Sequence, residues 1–161
     1  MKKEDFKFTF EVYESINELS QADASLLRQA REVTKHAYAP YSHFHVGAVA
    51  WLTNGKIVTG TNQENASFPV GLCAERVMLA SAASLFPEVP VEAIAISYDN
   101  QNGESNHPVS PCGICRQSLL EYETRVKKPM RIILGGLEGK VYVIEKAAML
   151  LPLSFSAAAL A

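Results

Sequence analysis

Val46-Gly47-Ala48-Val49-Ala50-Trp51-Leu52 and Lys56-Ile57-Val58-Thr59-Gly60-Thr61 are two strand-like runs separated by Thr53-Asn54-Gly55. Asn-Gly is the strongest short hairpin signal, because both residues accept the positive φ that a tight turn between twisted strands requires. The two runs are therefore expected to pair antiparallel.

Working outward, Ser25 to Val33 carries apolar residues at helical spacing, which predicts a first helix over roughly 22 to 38, ending before Pro40. Downstream, Leu72 to Leu85 is rich in Ala, Leu and Met without internal Gly or Pro and reads as a helix, while Val91 to Tyr98 reads as a buried strand. Residues 99 to 110 bring Asn, Gly, Ser, His and Pro together and mark a loop, after which Cys112 to Glu121 regains helical character. Met130 to Leu134 and Val141 to Ile144 are short strands, followed by a helical turn from Glu145 and an Ala-rich tail. Five strands interleaved with helices give an α/β chain, a three-layer α/β/α sandwich whose five-stranded sheet is mixed because it contains a hairpin.

Residues 1 to 20 set Phe6, Phe8, Phe10 and Tyr13 among Lys and Glu, an alternation that suits an edge strand or a partner-contacting arm. They are read as an amino-terminal extension without an assigned function, ahead of a single domain over 21 to 161. A chain of 161 residues is long enough to bury a core, and with 48% apolar residues, 20% charged residues and a formal charge of −2 it reads as globular. That charge disfavours coating of a nucleic acid. The longest apolar stretches are too short, or too broken by Pro152, to span a bilayer, and no apolar segment follows the first charges as in a secretory signal. A cytoplasmic location without membrane contact is the default expectation.

Three cysteines are an odd number, and in a reducing compartment they are more often metal ligands or catalysts than disulfides. All three fall at predicted helix starts. Cys112 and Cys115 share a helix face and can grip one ion, and Cys73 supplies a third thiolate, leaving the fourth tetrahedral position open as catalytic zinc requires. Three thiolates leave such a centre at net −1. Helix amino termini aim partial positive charge at the sulfurs, and Arg76 can add a full charge nearby, tuning the metal without binding it. Glu75 lies two residues after Cys73, in the first helical turn, where a carboxylate can reach an attacking water without ligating and move protons during hydrolytic deamination.

Taken alone, Cys112-Gly113-Ile114-Cys115 also suits a redox dithiol or a structural zinc knuckle. Cys73-Ala74-Glu75 upstream shifts the balance, since a structural site would want a fourth ligand, and His36, His43, His45 and His107 do not lie at ligand spacing from a cysteine.

Four ordered blocks, Tyr38 to Ala48, Asn62 to Ala66, Cys73 to Arg76 and Pro111 to Gln117, resemble the small homotetrameric cytidine deaminases, with the likeness running roughly from Tyr38 to Phe155. The resemblance implies a cytidine deaminase-like fold, one Zn²⁺ per subunit held by Cys73, Cys112 and Cys115, and Glu75 as proton carrier. It also implies a nucleoside substrate, with Asn62 and Glu64 on the ribose hydroxyls, Phe44 on the pyrimidine, Ala66 completing the base pocket, and Phe155 closing the site of a neighbouring subunit in a homotetramer. The implied reaction is deamination of cytidine and deoxycytidine in pyrimidine salvage. Phe68 stands where the family often has Tyr, and the first twenty residues exceed the family's usual start. Two alternatives stay open: a deaminase of another amino-pyrimidine nucleoside such as a blasticidin-type antibiotic, and a non-catalytic structural zinc domain in which Glu75 caps a helix.

Overall fold

Gly55 adopts φ 80 in the turn of the hairpin, a left-handed value that glycine takes without steric cost. The turn closes with Gly55 N–H donating to the Leu52 carbonyl at 2.9 Å and Asn54 Oδ1 accepting from the Lys56 N–H at 3.0 Å. In the computed structural model, which describes residues 1–160, this hairpin is the end of a larger sheet. The elements in chain order are β1 (Glu11–Tyr13), α1 (Gln21–Val33), β2 (Phe44–Leu52), β3 (Ile57–Thr61), α2 (Ala74–Leu85), β4 (Val91–Asn100), α3 (Gly113–Val126), β5 (Arg131–Gly135) and β6 (Val141–Ile144). The strand order is β1-β6-β5-β4-β2-β3, with β4 and β5 parallel and every other neighbouring pair antiparallel.

The sheet is mixed, as expected, but it has six strands instead of five. The sixth comes from the amino-terminal segment: Glu11, Val12 and Tyr13 pair with Val143, Tyr142 and Val141, satisfying backbone groups that β6 would otherwise leave open. Three residues are too short for a periodicity argument to separate a strand from an extended arm. Phe10 packs on Tyr142 with ring centroids 4.9 Å apart, continuing the attachment beyond the ladder. The first helix also ends earlier than its periodicity suggests, at Val33, and a 3₁₀ turn follows over Thr34–His36. Thr34 donates its hydroxyl to the Arg31 carbonyl at 2.7 Å, a local bond that competes with helical continuation.

The strands bury both faces. Val49, Ala93, Ala95, Ile133 and Val141 meet Leu26, Leu27 and Ala30 of α1, while Ala50, Ile94, Ile96, Ile132 and Leu134 share the opposite core with Met78 of α2 and Leu119 of α3. Each of the largest fully buried side chains contributes about 1.5–3 kcal/mol relative to leaving it in water, so the two cores together hold the three layers. Among the described residues, no helix is long and apolar enough to cross a membrane.

Gly60 sets how closely α2 approaches the sheet. A Cβ at this position would collide with the backbone of Met78 and Ala74 and lie 2.8 Å from the Met78 Cβ, all atoms of a rigid helix. Gly60→Ala is therefore expected to cost about 1–3 kcal/mol through overpacking, read as a lower urea midpoint at unchanged slope.

Candidate metal centre

β3 and β4 run in the same direction because each is antiparallel to β2. Each leads into a helix on the same face of the sheet, so the amino ends of α2 and α3 arrive at one sheet edge. The start of β2 lies at that edge too, since Phe44 pairs with Asn100 and Gly47 with Thr61. Residues far apart in the chain thus meet where helix termini, with their unpaired N–H groups, face a common space.

Cys73 occupies the cap position of α2, Cys112 that of α3, and Cys115 the first turn of α3. Their three Sγ atoms lie within 4.8 Å of one another, and Cys112 and Cys115 are 3.6 Å apart. With a Zn–S bond of about 2.3 Å, the edge of a tetrahedron is about 3.8 Å, so the sulfur set fits a zinc ion with little adjustment. Among the described residues, no other group of three such side chains is assembled this way. Cys115 is buried, Cys73 half-buried and Cys112 exposed, so the cluster opens toward solvent on one side.

The sulfurs perturb one another. Cys73 is brought down to about 6, first by the hydrogen bond it accepts from Cys115, with the Arg76 guanidinium helping, and against the effects of burial and Glu75. Cys115 is pushed up by the same donation to Cys73, by burial and by the nearby Glu75 carboxylate. A thiolate is therefore favoured within the cluster, which is the form that a metal takes. Burial pushes the Glu75 carboxyl above its ordinary value, outweighing hydrogen bonds from its own N–H and from Cys115. Glu75 is only 5% exposed and lies in the first turn of α2.

A cavity of about 680 Å³ opens over this cluster. Glu75, Arg76, Phe44, Asn62 and Glu64 all line it with the three cysteines, so most of the residues singled out from sequence are brought together. Ala66 and Phe155 are not among its lining residues. Phe155 is 61% exposed and lies on the carboxy-terminal segment, its carbonyl accepting from Gln117 Nε2 at 3.0 Å.

Asn62 and Glu64 already carry structural bonds. Asn62 Oδ1 accepts from the Val46 N–H at 2.7 Å and Nδ2 donates to the Phe44 carbonyl at 2.8 Å, fixing the start of β2. One N–H and one lone pair of the amide remain. Glu64 Oε2 accepts from the N–H groups of Tyr41 and Ser42 at 2.9 and 3.2 Å, which leaves Oε1 for another partner. Partial burial pushes the Glu64 carboxyl up, but the Ser42 hydroxyl and these two N–H groups bring it below its ordinary value.

Sequence reading missed Tyr98 and Tyr41 as cavity residues. Tyr98 closes the apolar run of β4 on the same face as Ile94 and Ile96, so its pattern signalled core, and only its place at the strand end signalled a site. Phe68, Leu72, Val109 and Ile114 line the cavity and are 76%, 42%, 38% and 63% exposed, an apolar rim in which Phe68 meets the Tyr41 ring edge-on with centroids 5.9 Å apart.

Residues 20–129 match the family model described as the cytidine and deoxycytidylate deaminase zinc-binding region. A cytidine deaminase of Halalkalibacterium halodurans is 37% identical over 132 residues, spanning 82% of this chain and 92% of that protein. The crystal structure of cytidine deaminase from Burkholderia pseudomallei superposes with a TM-score of 0.71 at 35% identity, covering 85% of this chain and 100% of that one. Blasticidin-S deaminase of Bacillus cereus is also similar, at 29% identity over 140 residues, or 86% of this chain and 95% of that protein. Sequence, fold and the converging cysteines agree: the chain belongs to the cytidine deaminase family.

Proposed function

We propose that the protein deaminates cytidine and deoxycytidine hydrolytically to uridine and deoxyuridine, releasing ammonia and serving pyrimidine salvage. The observation that carries this reading is the buried carboxylate of Glu75 beside three clustered cysteine sulfurs, on the floor of a cavity large enough for a nucleoside. Cys73, Cys112 and Cys115 would hold one Zn²⁺ per subunit, which when bound supplies a Lewis acid that activates water.

Glu75 takes a proton from the water that attacks C4 of the pyrimidine and delivers it to ring nitrogen N3. A second proton passes through the same carboxylate to the departing amino group, so the C4–O bond forms, the C4–N bond breaks, and ammonia leaves. A carboxyl raised by burial is suited to both taking and returning a proton. Arg76 offsets the anionic sulfurs from beside the cluster, consistent with its pull on Cys73. Glu64 Oε1 and the spare amide groups of Asn62 meet the ribose hydroxyls, Phe44 meets the base, and the neighbouring Ala66 segment finishes the base pocket. The apolar rim, together with exposed Leu153 and Phe155, supports a homotetramer in which Phe155 of one subunit closes the cavity of another. Residues 21–161 act as the single catalytic domain in this reading. The cell compartment that fits free cysteines and a nucleoside substrate is the cytoplasm.

The deciding assay is the ultraviolet absorbance change of cytidine and deoxycytidine with protein of measured zinc content. Loss of the cytosine signal is expected; no loss with zinc bound, and loss with a blasticidin-type nucleoside instead, would reassign the substrate. Absence of turnover on all three would point to a structural metal site. Glu75→Gln is expected to keep the zinc and lose about 10²–10⁴-fold in kcat, because general acid–base transfer contributes on that order. Retained turnover in this variant would remove Glu75 as proton carrier.

Asn62→Ala should lower stability and raise KM for cytidine together. Each lost hydrogen bond to a buried group is worth about 1–3 kcal/mol, so unfolding in urea and a roughly tenfold KM change should both register. A stability loss with KM unchanged would leave Asn62 a purely structural residue. For the shared site, co-expressing Phe155→Ala with Glu75→Gln should recover activity that neither variant shows alone, since a mixed oligomer pairs an intact Glu75 with a neighbour's intact Phe155. No recovery in mixed oligomers verified by mass would place Phe155 outside the site.

A further inference from the structure

Tyr98 connects two walls of the cavity that come from separate parts of the chain. Its ring stacks on Phe44 with centroids 4.9 Å apart and planes only 11° from parallel. The two residues are diagonal neighbours across β2 and β4, because Val46 pairs with Tyr98 and Phe44 with Asn100. Diagonal positions are about 7–8 Å apart at the backbone, within reach of two aromatic rings on the same sheet face. On its other side, the Tyr98 hydroxyl donates to the His107 carbonyl at 3.0 Å, and the His107 ring meets Tyr98 edge-on at 6.0 Å.

His107 belongs to the segment that leads from β4 to Cys112, and this segment is firmly supported. Asn100 N–H donates to Ser105 Oγ at 2.8 Å, and Glu138 N–H donates to the Ser105 carbonyl at 3.2 Å. Gly136 and Gly139, in the connection from β5 to β6, lie so close to the backbone of Ser105 and Asn106 that a Cβ on either would collide with it. Tyr98 is 3% exposed and its ring therefore stands against a fixed backing. Phe44 is held at its backbone by Asn62 and at its ring by Tyr98.

We propose that Tyr98 is a positioning residue for the substrate base: it locks the plane of the Phe44 ring, so that the cavity presents a preset aromatic wall to the pyrimidine. This rests on the nucleoside reading given above. A preset wall lowers the ordering cost of binding and leaves the proton transfers at Glu75 untouched, so the effect belongs in KM and not in kcat.

The test is steady-state kinetics with cytidine on zinc-loaded Tyr98→Leu, Tyr98→Met and Tyr98→Phe proteins, with Phe44→Leu and the Phe44→Leu/Tyr98→Leu pair alongside. Aromatic pairs of this kind correspond to roughly two- to twelvefold in an equilibrium, so Tyr98→Leu and Tyr98→Met should raise KM by a factor in that range with kcat unchanged. Tyr98→Phe keeps the ring and should bring KM most of the way back. The pair should be no worse than Phe44→Leu alone, because both substitutions remove the same contact. The inference is overturned by an unchanged KM in folded, zinc-loaded Tyr98→Leu or Tyr98→Met, by a fall in kcat alone, or by factors that multiply in the pair. Should neither Tyr98 variant fold, Phe44→Leu decides, since wild-type KM there leaves nothing for Tyr98 to position. Failure of the nucleoside reading is recognised separately, by unsubstituted protein that turns over no cytidine, and would remove the inference with it.

Discussion

The placement of two helix amino termini at one sheet edge is the constraint on which the rest of the molecule depends. A strand inserted antiparallel between β3 and β4 makes those two run alike, and helices that follow them on one face must begin side by side. Cys73 and Cys112 are then cap residues, with extended backbone before the first turn, and their side chains point into the space between the termini. A different strand order would leave the same cysteines on separate surfaces. The chemistry of the cluster is thus a consequence of topology before it is one of residue choice.

Given that edge, local electrostatics follow from crowding. Three sulfurs, one buried carboxylate and one guanidinium share a small volume, and the shifts in proton affinity follow from hydrogen bonding between the sulfurs at Cys73 and Cys115 and from burial at Glu75. Burial alone would favour neutral forms throughout. The hydrogen bond from Cys115 and the charge of Arg76 reverse that at Cys73, while Glu75, without a cationic partner of its own, moves the other way. A cation entering among the sulfurs would compensate this arrangement, which is why the donor set fits zinc and its geometry needs little change.

Most of this was legible in the sequence because it is local. The Asn54-Gly55 turn, the uninterrupted α2 segment, the three-residue spacing of Cys112 and Cys115 and the placement of Glu75 two residues after Cys73 are short-range patterns, readable without knowledge of distant partners. Less legible were features decided by distant partners. β1 exists because β6 offers an open edge at Val141 to Val143, and nothing in residues 11 to 13 reveals that partner. Tyr98 looked like the last apolar residue of a buried strand, and its contact with Phe44 depends on the register between β2 and β4. The second bonds of Asn62 were hidden likewise, since its side chain serves the strand start across sixteen residues of sequence.

α3 carries a further consequence of the same geometry. Its first turn holds Cys115, and the next two residues reach the carboxy-terminal segment: Arg116 joins the Pro111 carbonyl at 2.8 Å to the Leu150 carbonyl at 3.1 Å, and Gln117 holds the Phe155 carbonyl. At the far end, the buried Glu123 carboxylate accepts from the N–H groups of Met130 and Ala147, each at 2.8 Å, and of Ala148 at 3.2 Å. One helix therefore fixes two of the three sulfurs and also the start and course of the tail. Displacing that tail would take the Leu150 carbonyl from the half-buried Arg116 guanidinium, which would keep its bond to the Pro111 carbonyl, next to Cys112. The sulfur cluster and the docking of residues 147–155 are accordingly joined through one helix, α3.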